Sequence, residues 1–61
     1  MIEPKSKKVL VSYGNDFNTW YPADIIDKLS SQFWCEFKVK GKQKYGWYFY
    51  KDHRVTWKEI I

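Results

Sequence analysis

Thirteen of the 61 residues are aromatic, against eleven Ile, Leu and Val together. That ratio constrains the chain more than any other feature. A domain of this size buries only about 60% of the surface its unfolded chain exposes. It cannot enclose thirteen rings, so some must face solvent, where rings usually mark contact with a partner. The chain is short enough for one domain and too rich in apolar residues for disorder.

Several classes are excluded at once. A single cysteine, Cys35, allows no internal disulfide, and with one histidine, His53, it cannot supply the four ligands of a structural zinc site. No apolar run approaches the roughly 20 residues that a membrane-spanning helix needs. Met1 to Lys8 is polar and charged, unlike a secretory signal. The expectation is a reduced, cytoplasmic protein without metal or cofactor. Net charge is +4, and it is unevenly distributed. Residues 1–37 carry four Lys against five acids, a net of −1, whereas residues 38–61 carry six Lys and Arg54 against Asp52 and Glu59, a net of +5. Such an asymmetry speaks to partners rather than to fold.

Local patterns predict mostly strands. Residues 1–7 read as a flexible leader, and residues 8–61 as the folded unit. Lys8 to Tyr13 is rich in β-branched residues and ends at the turn cluster Gly14-Asn15-Asp16. Phe33 to Lys40 alternates, with Phe33, Cys35, Phe37 and Val39 on one face and Trp34, Glu36, Lys38 and Lys40 on the other. A turn at Gly41 to Lys44 leads to a strand from Tyr45 to Lys51, and Arg54 to Ile60 supplies a last one. Residues 20–32 are ambiguous. Ala23, Ile25 and Leu29 suit one face of a strand, yet Ile25, Ile26, Leu29 and Phe33 also follow helical spacing, and Pro22 could open such a helix.

Val9-Leu10-Val11-Ser12-Tyr13, then Trp20-Tyr21-Pro22-Ala23-Asp24-Ile25-Ile26, then Phe33 to Phe37 followed by Gly41, resembles a Tudor domain over residues 8–58. The resemblance implies a five-stranded antiparallel SH3-like barrel with residues 20–29 as a strand. The alternative is an α+β fold with one helix at about 22–33 on a β-meander. The resemblance also implies an aromatic cage for methylated Lys or Arg, whose walls would be Tyr13, Tyr21 and Phe37. The fourth wall reads Lys40, and the polar residue after the turn glycine reads Lys42. Two ammonium groups at the mouth of a cation cage repel its ligand, so a methyl reader ranks last among the binding readings.

The same lysines suggest a polyanion. Lys38, Lys40, Lys42 and Lys44 alternate through a strand end and the following turn, near Trp34, Tyr48 and Tyr50, with Arg54, Lys51 and Lys58 as extensions. Ammonium groups meeting phosphates while rings stack bases is the chemistry of nucleic-acid binding. The plain alternative is a solvated hairpin whose lysines block edge pairing. A third reading takes the same surface as a protein interface, with aromatic anchors and a basic rim aimed at an acidic partner. A free-standing barrel this short is similar to small bacteriophage or bacterial regulators, which would act in the host cytoplasm. On that reading the chain is a complete product; otherwise it is one module of a larger protein. Exposed rings also suit a homodimer.

Catalysis has little to stand on. Cys35 lies on the face expected to be buried, Asp52-His53 forms a turn, and Gly14, Gly41 and Gly46 are isolated rather than a phosphate-cradling loop. The sequence therefore predicts a non-enzymatic binding module, ordered as nucleic acid first, protein partner a close second and methyl reader third.

Overall fold

The computed structural model describes residues 3–14 and 16–60, with the Phe17 side chain outside that description; Asn15 of the expected first turn and Met1 and Ile2 of the expected leader also lie outside it. Five strands carry the chain: β1 (Lys8–Tyr13), β2 (Asp16–Lys28), β3 (Gln32–Val39), β4 (Lys42–Phe49) and β5 (Trp57–Glu59), with a 3-10 turn at Tyr50–Asp52 before the last. They form one antiparallel sheet in the order β4-β3-β2-β1-β5. Each of the first four strands pairs with its sequence neighbour, and β5 returns to lie beside β1. Among the described residues no helix is long and apolar enough to cross a membrane.

The ambiguous segment is strand, which removes the α+β alternative with a helix at 22–33. The helical spacing has a specific cause. Ile25 pairs with Cys35 and Asp27 with Trp34, so Ile26 is an extra residue in β2, a β-bulge. An ordinary strand already turns Ile25 and Ile26 to opposite faces. The bulge shifts the alternation after them, so that Ile25 and Lys28, three positions apart, both pair with core-side residues, Cys35 and Phe33. Ile25 packs against the core and Ile26 is 51% exposed. Pro22 sits inside β2 because it pairs with Leu10 of β1 while the ladder to β3 ends one residue later, at Ala23–Phe37. The Ile25 N–H donates toward the β1 side, to Lys7 O, so two-residue alternation turns the donor-less nitrogen of Pro22 toward the β3 side, where pairing has ceased.

The hairpin turn is tighter than the expected Gly41 to Lys44. Val39 pairs with Lys42, leaving Lys40 and Gly41 as a two-residue loop with φ of 52° and 81°. Both values are positive, as the type I′ turn favoured by strand twist demands. Lys42, Gln43 and Lys44 are therefore strand residues.

Among the described residues eight form the core: Val9, Val11, Ala23, Phe33, Cys35, Phe37, Tyr50 and Trp57. Half are aromatic, and Phe33 is the hub, edge-on to Trp57 at 5.3 Å and stacked on Tyr48 and Tyr50 at 5.9 and 6.1 Å. Buried Tyr and Trp need partners for their polar tips. Each has one: Tyr50 Oη donates to Leu29 O at 2.7 Å, Tyr48 Oη to Ser12 O at 2.6 Å and Trp57 Nε1 to Phe49 O at 2.8 Å. The described part of the leader is held at the Lys7 carbonyl, which accepts from the Ile25 N–H, and at three further points. Pro4 is buried, its carbonyl accepts from Lys28 Nζ at 3.1 Å, and the Lys5 N–H donates to Glu59 Oε2 at 3.0 Å.

Candidate functional site

Residues paired across an antiparallel ladder point to the same face. In the β3–β4 hairpin this puts Phe33, Cys35, Phe37 and Val39 on the core side with Tyr48, Gly46, Lys44 and Lys42. On the outer side it puts Gln32, Trp34, Glu36 and Lys38 with Phe49, Trp47, Tyr45 and Gln43. Trp34 is the centre of the outer set. Its ring stacks on Tyr45 at 5.6 Å with planes 10° apart and meets Trp47 at 4.9 Å. Tyr45, Trp47 and Phe49 are 52%, 46% and 44% exposed, and Leu29, whose N–H donates to Gln32 O at the end of the same face, is 47% exposed. One face of one hairpin thus carries four rings, three of them exposed and Trp34 half-buried among them.

The surface is not the one the sequence suggested. Trp34 is where it was expected, but Tyr50 is 1% exposed and Tyr48 packs on the core, its phenol pushed up by burial. Neither offers a ring face to a partner. Their places are taken by Tyr45, Trp47 and Phe49. The signal was present in the sequence: any hairpin turn of two or four residues after Phe33–Lys40 pairs even positions with odd ones, so the neighbours of Trp34 had to be odd-numbered.

Charge is also distributed differently. The charged residues opposite the ring cluster are carboxylates, with Asp27 opposite Trp34 and Glu36 opposite Tyr45. Glu36 accepts from Gln43 Nε2 at 2.6 Å, and Asp24, next along that row, pairs at 3.5 Å with Lys8. Lys38 is the only one of the four expected lysines on the ring face, and it sits beyond the rings, opposite Gln43. Lys40 is in the turn, and Lys42 and Lys44 lie on the opposite face. The pleat of the strand separates the lysine row from the rings. Lys51 Nζ stands 5.8 Å from the Phe49 ring centre.

Tyr13, Tyr21 and Phe37 do come together. Phe37 lies 5.6 Å from Tyr13 and 6.4 Å from Tyr21, but it is only 4% exposed. A cation already attends this cluster, since Lys44 Nζ stands 5.9 Å from the Tyr13 ring centre. Lys44, paired with Phe37, therefore supplies from within the chain the charge that a methylated ligand would bring.

Cys35 is wholly buried, with Sγ 3.7 Å from Gly46 O, and burial pushes its thiol up to about 12. A thiol so protonated is a packing group at neutral pH. The His53 ring packs on Trp57 at 4.6 Å. Arg54 lies apart from the hairpin, in the turn before β5, and lines a groove there with Trp20 and Lys58. Of the two residues expected to extend the lysine row with it, Lys58 thus stays beside Arg54 and Lys51 lies by Phe49. No family model, no characterised protein and no solved structure matches the chain.

Proposed function

We propose that the protein is a non-enzymatic protein-interaction module that binds its partner through the outer face of the β3–β4 hairpin. One observation carries this reading: Trp34, Tyr45, Trp47 and Phe49 share a sheet face and three of them are 44% to 52% exposed. Contiguous large rings at the centre of a patch with a polar border are the usual composition of an interface and its energetic hot spots. Asp27 and Glu36 beside the rings favour a partner that brings apolar side chains together with a cationic one, since an arginine stacked on Trp34 or Trp47 would also meet a carboxylate. This replaces the acidic partner that a lysine rim would have suited. The strand order, with β5 returning to β1, supports an SH3-like, Tudor-like barrel architecture, and the buried free thiol of Cys35 suits a reduced cytoplasmic setting, in a bacterium or a phage-infected host.

Nucleic-acid binding by the same hairpin is less well supported. Phosphates would meet Asp27 and Glu36 at the rings, and the lysines that should hold them lie across the strand. Site-specific photo-crosslinking tests the choice. A photoreactive aromatic side chain at position 47, used in cell extract, should cross-link a discrete protein, and the same group at position 42 should not. Cross-linking to a second copy of the chain would make the face a dimer seam and overturn the proposal, as would equal cross-linking from both positions.

A further inference from the structure

Away from the hairpin, the turn before β5 and the described end of the leader enclose a groove of about 790 Å³. Its size is within the range of ligand sites, about 300–1,000 Å³. Lys5 comes from the leader, Trp20 from β2, Arg54 from the turn, and Lys58, Glu59 and Ile60 from the chain's end. The elements meet because β1 pairs with β2 on one side and β5 on the other, so Lys58 opposite Leu10 and Pro22 opposite Leu10 fall on one row, with Trp20 two residues along.

Among the described residues that line it are three cationic ones, Lys5, Arg54 and Lys58, and one carboxylate, Glu59, whose Oε2 accepts the Lys5 N–H at 3.0 Å. Two further observations make the groove more than a basic surface. Lys58 Nζ is held 4.4 Å above the centre of the Trp20 ring. Arg54 has φ of 73°, a left-handed backbone that a non-glycine residue adopts at a cost, locked by its N–H donating to Trp57 O at 2.6 Å. Glycine would close the same turn without strain, so the guanidinium stands at the groove against the local backbone preference.

We propose that this groove binds a short stretch of single-stranded nucleic acid. Arg54, Lys5 and Lys58 take phosphates, and the Trp20 face takes a base. Lys58 links the two contacts. When its ammonium moves to a phosphate it leaves the Trp20 ring, and the vacated face is free for stacking. A ligand carrying only anions would draw Lys58 away and leave the ring bare, whereas a nucleotide uses both. The site is separate from the ring face of the hairpin, and its success or failure is independent of the protein-binding proposal.

The test is a fluorescence-anisotropy titration of the full chain with labelled oligo-dT and oligo-U octamers at low and physiological salt. Arg54→Gly is the decisive variant, because it removes the guanidinium and relieves the backbone at once. Affinity should fall at least about tenfold while the melting temperature holds or rises. Lys58→Gln should also weaken binding and reduce the log–log salt slope by about 0.7, the share of one single-strand phosphate contact. Trp20→Leu should weaken oligonucleotide binding and leave competition by inorganic polyphosphate unchanged. The proposal is overturned if neither octamer binds at low salt, if Arg54→Gly and Lys58→Gln bind as the wild type does, or if the Lys40→Glu, Lys42→Glu pair abolishes binding that both groove variants retain. Polyphosphate competing equally well per phosphate would overturn the role given to Trp20.

Discussion

The two faces of the β3–β4 hairpin are built from the same kinds of residue and meet opposite fates. On the core side Phe33, Phe37 and Tyr48 are covered by Tyr13, Tyr50 and Trp57, and every buried Tyr or Trp tip has an acceptor. On the outer side Trp34 stacks on Tyr45 and meets Trp47, and Tyr45 and Trp47 stay about half exposed. Aromatic content therefore does not say where the core is. What decides is which face the neighbouring elements cover: β5 and the 3-10 turn fold over one side, and nothing among the described residues covers the other. The covered rings hold the fold, and the uncovered ones are available to a partner.

The strongest way to break this comparison is truncation on each face. Phe33→Ala or Trp57→Ala should cost about 3–5 kcal/mol. That is comparable to the whole stability of a chain this small, about 3–9 kcal/mol at the usual value per residue, so these variants should be largely unfolded by circular dichroism. Trp47→Ala should stay within about 1 kcal/mol of wild type in a denaturant titration. Equal losses on both faces would mean that the outer rings are structural.

Removing single hydroxyls sharpens the contrast. Tyr50→Phe strands the Leu29 carbonyl and should destabilise by about 1–3 kcal/mol, whereas Tyr45→Phe on the exposed face should change stability by less than about 0.5 kcal/mol. Titration of the buried face gives a third comparison. The Cys35 thiol is raised in the folded state from 9.0 to about 12, so the folded chain holds its proton more tightly than the unfolded one. That contribution is fully present below about pH 9 and is lost as pH climbs through 12. Cys35→Ala should flatten this limb of a stability–pH curve, leaving the further loss from Tyr48 and Tyr50, whose phenols burial also raises. The smallest effect concerns an unpaired polar atom among the described residues of the buried side. Thr56 Oγ1 is buried without a hydrogen-bond partner. Thr56→Val keeps the shape and should stabilise by about 1 kcal/mol in the same titration.

Much of the fold could be read from residues alone. The alternation of Phe33 to Lys40 and the β-branched run of Lys8 to Tyr13 are local signals, and both strands are where those signals put them. Ile25-Ile26 misled because a bulge imitates helical spacing over a few residues, and only the pairing partner distinguishes the two. The turn at Lys40-Gly41 was read two residues too long, because Lys is an uncommon choice at positive φ and gives no cue. The ring face was within reach by counting parity across the hairpin. The groove was not. Trp20 and Lys58 are 38 positions apart (58 − 20) and meet only through the pairing of β1 with both β2 and β5.

The central claim is that the outer rings serve binding rather than folding. Its most direct test is quantitative affinity capture from cell extract, with wild-type bait beside a Trp34→Ser, Trp47→Ser bait checked for an unchanged unfolding curve. The account predicts a protein retained by the wild type and lost from the folded variant, with Kd raised at least about 30-fold once that partner is purified. The same proteins retained equally by both baits would contradict it.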